Sequence, residues 1–284
     1  MKTPVINSRE SGIFDGVLLA SDIDGTLINS RGEVTGPVRR AIDSFCGRGG
    51  RFTVATGRSL CGFHILRPFI PLNAPAVLSN GGFIYDFGSN RDLFSEWLSG
   101  PFQYAVSDIA EKFPEMGIEL HRPDHVHIFN RNLWSDRHIN AVKSPFTDIT
   151  DLSQAPPRCL KILFLQENSM LLELADYALD KHGKYFSFIF SAPNMLEMQN
   201  RGVDKAAGIS RVASMLGIEP EHVYTAGDAG NDIEMLRAFT SFAPASGTEE
   251  ARAAASYTVA GHDGDAIAEA VQILESFYIN GGKI

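Results

Sequence analysis

The chain has 284 residues, 44% of them hydrophobic, with 34 acidic against 25 basic side chains and a formal net charge of −9. That length supports one large domain or two smaller ones around a real core, and the acidic balance, without any lysine or arginine block, argues against nucleic acid as a partner. Cys46, Cys61 and Cys159 are odd in number and lack metal-ligand spacing, and the polar opening stretch reads as neither signal peptide nor membrane span, so a cytoplasmic protein with free thiols is expected.

The first apolar run, Val17-Leu18-Leu19-Ala20, does not alternate, which suits a strand covered on both faces in a parallel sheet. It ends in Ser21-Asp22-Ile23-Asp24-Gly25-Thr26, two carboxylates spaced i, i+2 and then a glycine. Ligands of such sheets bind beyond the carboxyl ends of the strands, where Asp22 and Asp24 would fall. Taken alone, the same letters also describe two turn-forming aspartates. Val38, Ala41, Ile42 and Phe45 then mark an amphipathic helix over 35–45, with Pro37 in its first turn and Gly47, Gly49 and Gly50 after it. Arg51-Phe52-Thr53-Val54-Ala55 reads as a second strand delivering Thr56-Gly57-Arg58, and Ala76-Val77-Leu78 as a third delivering Ser79-Asn80-Gly81-Gly82. A hydroxyl and a guanidinium flanking a glycine can hold phosphate oxygens.

From about Phe83 the pattern changes, and Gly88, Ser89 and Asn90 read as a linker into a separate module. A helix is expected over 101–113, strands over 117–121 and 125–129, a helix over 133–143, a strand over 160–166, a helix through Leu171, Leu174, Ala178 and Leu179, and strands over 185–190 and 195–198. This order implies an α+β layer with its helices on one sheet face. His125 and His127 share a strand face by their spacing.

The alternating pattern resumes after Gly202. Asp204-Lys205 precede a helix through Ile209, Val212, Ala213 and Leu216, and Val223-Tyr224-Thr225-Ala226 is a strand opening into Gly227-Asp228-Ala229-Gly230-Asn231-Asp232. Short strands over 241–244 and 257–260 and a terminal helix through Ile267, Ala270, Val271 and Leu274 complete the chain. The order nests a module over 85–199 inside a core made of 1–84 and 200–284.

Parallel strands would bring the loops carrying Asp22, Asp24, Asp228 and Asp232 to one edge. Two carboxylates about 4 Å apart repel by roughly 4 kcal/mol at an effective dielectric near 20, so this cluster calls for a cation. Oxygen donors without nearby Cys or His point to Mg²⁺. Thr56, Lys205 and Asn231 could then neutralise and hydrogen-bond phosphoryl oxygens.

These four segments, Asp22-Ile23-Asp24-Gly25-Thr26, Thr56 within Ala55-Thr56-Gly57-Arg58, Lys205, and Gly227 to Asp232, resemble in order the four motifs of the haloacid dehalogenase superfamily of aspartyl-phosphate phosphatases. The separation of 33 positions from Asp24 to Gly57 leaves no room for a cap after the first motif, and the insertion resembles the type IIB (C2B) cap of the Cof-type group. Two departures are Gln199-Asn200-Arg201 before Gly202, where a proline commonly stands, and Pro244-Ala245-Ser246-Gly247 in place of a turn richer in glycine and asparagine. The resemblance implies an α/β fold, a doubly wound Rossmann-like parallel-sheet core with an inserted α+β cap. It implies Mg²⁺-dependent hydrolysis of a small phosphorylated metabolite, most naturally a sugar phosphate. The alternatives are a sugar phosphomutase, which also occurs with such caps, and a binding protein without turnover. Under the resemblance Asp22 attacks phosphorus, and Asp24 protonates the leaving alcohol and then deprotonates water. Asp22, the Asp24 carbonyl and Asp228 hold the metal, with Asp232 a ligand through water or an orienting residue behind it. Thr56, Gly57, Lys205, Asn231 and the Ile23 N–H hold the phosphoryl group. The cap is expected to close over the substrate, pivoting at 88–90 and 200–202, with Arg122 and His125 selecting the leaving group.

Overall fold

The computed structural model describes residues 12–260 and 264–281. Its first strand, β1 (Leu18–Ser21), is buried along its whole length. Leu19 faces one apolar cluster and Leu18 and Ala20 another, so the unbroken hydrophobic run is explained by burial on both faces. The first cluster is filled by α1 (Gly36–Gly47), whose Val38, Ile42 and Phe45 point inward. Thr35 begins that helix by accepting the Val38 N–H at its side-chain oxygen. Then come β2 (Arg51–Val54), the short α2 (Leu60–His64), and β3 (Ala76–Leu78), β4 (Phe83–Asp86) and β5 (Arg91–Ser95), the last three forming an antiparallel sheet in that order.

Gly88, Ser89 and Asn90 are therefore a hairpin turn and not a linker. Asp86 accepts the N–H groups of Gly88 and Ser89 and the Ser89 hydroxyl, and Asn90 takes a positive φ of 56°. The turn lies within a sheet whose β3 touches the core through a parallel bridge between Val77 and Ala55.

The inserted part runs through α3 (Phe102–Lys112), β6 (Gly117–His121), β7 (Val126–Phe129), α4 (Leu133–Val142), β8 (Phe146–Ile149), β9 (Lys161–Leu165), α5 (Asn168–His182), β10 (Phe186–Ala192) and β11 (Met195–Asn200). Its strands form one sheet in the order β10-β11-β9-β6-β7-β8, antiparallel except for the β7–β8 pair. One face carries Ile118, Leu120, Ile162, Phe164, Leu196 and Met198 under α3 and α5. The opposite face, set by the strand registers, carries Glu119, His121, Lys161, Leu163 and Glu197. The expectation that all helices share one face fails for α4: its Ile139 packs on Val126 and Ile128, which lie across from His121 and Glu119 on this second, polar face.

The chain returns through α6 (Lys205–Leu216), β12 (Val223–Ala226), α7 (Ile233–Ala238), β13 (Thr240–Pro244), α8 (Glu249–Ala254), β14 (Tyr257–Val259) and α9 (Ala266–Ile279). The core sheet is wholly parallel, ordered β14-β13-β12-β1-β2. Residues from α6 and α7 fill the cluster opposite α1 and α9. The carboxyl ends of β1, β2 and β12 consequently lie side by side, which is what gathers the site. No described helix is long and apolar enough to cross a membrane.

Candidate active site

Asp22 follows the last residue of the central strand, and its N–H donates to the Ala226 carbonyl of β12. The β12 loop therefore sits against the β1 loop. Gly25 makes the approach possible: its φ is 86°, and a Cβ there would lie 2.3 Å from Asp228 Oδ2. Thr26 Oγ1 donates to Asp228 Oδ1 at 3.1 Å.

Lys205 occupies the first turn of α6, a helix begun by Asp204, whose side chain accepts the Ala207 N–H at 2.8 Å. That start aims the Lys205 ammonium into the strand ends. Fully buried, it donates to Asp22 Oδ1 at 2.5 Å and to Asp232 Oδ1 at 2.6 Å. The other oxygen of Asp232 accepts the N–H groups of Asp228 and Ala229, so this buried carboxylate holds both the lysine and the loop. Carboxylate oxygens of Asp22, Asp228 and Asp232 lie within 4.8 Å of one another. Burial lifts the Asp22 carboxyl well above its usual range against the pull of Lys205. Burial and the Asp232 charge push Asp228 up to about 6. One lysine thus does not balance the three acids, and a hard, oxygen-seeking cation such as Mg²⁺ fits the donor set.

The loops after β2 and β3 complete the floor. Thr56 is buried, its carbonyl accepts the Asn80 N–H, and its hydroxyl accepts the Arg58 N–H at 3.2 Å. Asn80 lies in the left-handed region at φ 51° and receives the Asn231 amide at 3.3 Å. Asp24 is exposed and paired in bidentate fashion with Arg58, at 2.8 and 2.7 Å.

Residues 19–271 match the family model for haloacid dehalogenase-like hydrolases. The chain belongs to that family. Among individual proteins, this hydrolase is 26% identical over 229 residues to 5-amino-6-(5-phospho-D-ribitylamino)uracil phosphatase YcsE of Bacillus subtilis, covering 78% of this chain and 80% of that one. A crystal structure of a haloacid dehalogenase-like hydrolase from Bacteroides thetaiotaomicron superposes with a TM-score of 0.80 at 23% identity, covering 91% of this chain and 99% of that one. The subclass IIB sugar phosphatase BT4131 superposes at 0.79 with 20% identity and the same coverage.

Above these loops of the hydrolase lies a cavity of about 360 Å³. Asp22, Asp24, Thr56, Gly57, Arg58 and Asn231 line one side of it. The inserted sheet and α4 supply the other, through His121, His138, Lys161, Ser191, Met195 and Glu197. Arg122 and His125, expected to contact the leaving group, are not among the lining residues. The Arg122 guanidinium stacks 5.9 Å from the Trp97 ring and pairs with Asp124, and the half-buried His125 bonds Thr147 Oγ1. Both belong to the β6–β7 turn, past the end of the strand face that meets the cavity. Their neighbour Pro123 instead braces the core, its carbonyl accepting the Cys61 N–H.

Lys161 and Glu197, not singled out by the sequence reading, tie the two parts together. Lys161 Nζ donates to Glu197 Oε2 at 2.5 Å and to the Gly57 carbonyl at 2.9 Å, and Asn80 donates to the same Glu197 oxygen at 3.0 Å. A lone charged residue inside each of two apolar strands was the available signal. Burial opposes ionisation of Glu197, but Lys161 holds its carboxyl below the usual range. A lowered folded-state value contributes stability above the ordinary carboxylate range that is lost as pH falls through the folded value. Wild-type stability is therefore expected to decline on acidification below about 4.5. Glu197→Gln should be less stable at neutral pH and show a flatter decline, read by denaturant melts at stepped pH. Superimposable profiles would remove Glu197 from this role.

Proposed function

We propose that this phosphatase hydrolyses small phosphomonoesters, sugar phosphates foremost, in the presence of Mg²⁺ and through a phosphorylated Asp22. The observation that carries the reading is the placement of Asp22: at the end of the central strand, bonded to a buried lysine, and facing a cavity with an all-oxygen acidic cluster beside it.

In this mechanism an Asp22 oxygen attacks phosphorus and the ester oxygen leaves towards the cap. Asp24, on the cavity side, gives that oxygen a proton and later takes one from the water that hydrolyses the acyl phosphate. Arg58 holds Asp24 from the side, so one of its two bonds must loosen as the proton moves. Lys205, Thr56, Asn231 and the Ile23 and Gly57 backbone stabilise the phosphoryl oxygens. Asp22, Asp228 and the Asp24 carbonyl, with Asp232 behind them, would hold Mg²⁺, which would supply positive charge to offset that of the phosphoryl group. The polar cap wall suits a hydroxylated leaving group, and a cytoplasmic location fits such metabolites. We take the cap to run from Glu96 to Asn200 rather than over 85–199, because Tyr85 and Asp86 lie in β4, paired with β3 and β5.

Orthophosphate release from a panel of sugar phosphates and from p-nitrophenyl phosphate, with Mg²⁺ or with chelator, tests the reading. Release should require Mg²⁺ and occur with several unrelated esters, which a phosphomutase would not support. Asp24→Asn should lower turnover by about 10²–10⁴-fold while still admitting phosphorylation of Asp22 by a good leaving group. An Asp24→Asn enzyme of wild-type rate on a sugar phosphate would remove Asp24 from proton transfer.

A further inference from the structure

We propose that Glu119, His121 and His138 form a second cation site, for a divalent transition metal of the zinc class, in the cap wall of the substrate cavity. Glu119 and His121 alternate on β6 and so face the same way, and His138 descends on them from α4. His121 Nε2 and His138 Nδ1 both point at Glu119 Oε2, at 2.9 and 2.8 Å. One ligand atom from each of the three lies within 4.8 Å of the others. Two imidazoles and one carboxylate are the donor set of zinc, cobalt or nickel, unlike the oxygen-only cluster on the core side.

A hydrogen-bonded triad alone leaves this wall incompletely satisfied. Glu119 is fully buried, and its Oε1 has no partner; nor does the buried Nδ1 of His121. The cation on the same face, Lys161, opposite His121, is already engaged by Glu197 and Gly57. A buried carboxylate with one empty oxygen is costly, and a divalent ion bound by that carboxylate answers the deficit. Because His121 and His138 line the cavity, the ion would face the part of the substrate that projects away from Asp22.

The test uses the full chain, stripped by chelator and then supplied with excess MgCl₂ to occupy the oxygen cluster. Titration with CoCl₂ is followed by the visible absorption of imidazole-bound Co²⁺. One equivalent should bind, be displaced by ZnCl₂, and persist in Asp228→Asn. Glu119→Gln and His138→Ala should each weaken it by at least roughly 100-fold, beyond the loss of an outer partner. His138 lies at the cavity edge with 15% of its side chain exposed, so its variant carries the test if Glu119→Gln does not fold. The proposal is overturned if the wild type shows no such band, if the band disappears in Asp228→Asn, or if it survives in folded His138→Ala.

Discussion

Asp22→Asn is expected to abolish orthophosphate release, with a loss on the order of 10⁵–10⁶-fold, as when a catalytic nucleophile is removed from an otherwise intact site. The substitution preserves size, and it removes one charge from a cluster in which Asp22, Asp228 and Asp232 crowd together. Lys205 keeps its 2.6 Å bond to Asp232 in the variant. Folding should therefore survive, and a denaturant melt should show stability at or near that of the wild type. Intact mass after quenching in acid distinguishes the chemical step: the wild type should carry a phosphoryl group during turnover and Asp22→Asn none. Turnover within a few-fold of the wild type would sink the covalent mechanism, since Asp232, the other carboxylate bonded to Lys205, is fully buried and does not line the cavity.

The acidic loops of the candidate site were readable because they follow strands that are buried on both faces. Leu18 to Ala20 and Val223 to Ala226 have nowhere to lie except inside a covered sheet, so the polar residues after them had to emerge at its edge. The β4–β5 hairpin was missed for the opposite reason. Arg91, Asp92 and Leu93 are exposed, and an exposed edge strand has no apolar alternation to announce it; β8, exposed over Phe146 to Asp148, was overlooked likewise. In the cap, period-2 reasoning located the strands but not the face that meets the core. That face is chosen by docking, through contacts such as Lys161 to Gly57 and Gln199 to the Ser79 carbonyl, which join residues more than a hundred positions apart. Arg122 and His125 were consequently selected one and four residues beyond His121, while Glu119 and His121, on the preceding strand, point inward. The pairing of His138 with Glu119 was invisible for a related reason: a helix that packs on the polar side of a sheet cannot be told from one on the apolar side by its own periodicity.

Lys205→Met should produce the largest loss of stability of any single substitution at the site. The ammonium is fully buried and bonds two carboxylates, which hold it protonated against the pull of burial. Methionine fills a similar volume, so packing is largely conserved and the effect isolates the charge. Its removal leaves Asp22 and Asp232 facing each other without a counterion, and breaking a buried ion pair in this way costs about 3–5 kcal/mol. Two dependences identify the cause. Mg²⁺ should stabilise the variant, by about 2.7 kcal/mol at a concentration 100 times its dissociation constant. Acid should help as well. A carboxyl whose folded-state value is raised contributes stability that is complete below the unfolded value and lost as pH rises through the folded one. Asp228 stands at about 6 and Asp22 is raised too, so in the absence of metal the deficit against the wild type should narrow as pH falls from neutral through 6. Melts of both proteins across pH, with chelator and with Mg²⁺, provide the measurement. A Lys205→Met protein that matched the wild type at neutral pH in chelator would show that the lysine does not balance the acidic cluster, and its place in phosphoryl binding would then need a different electrostatic basis.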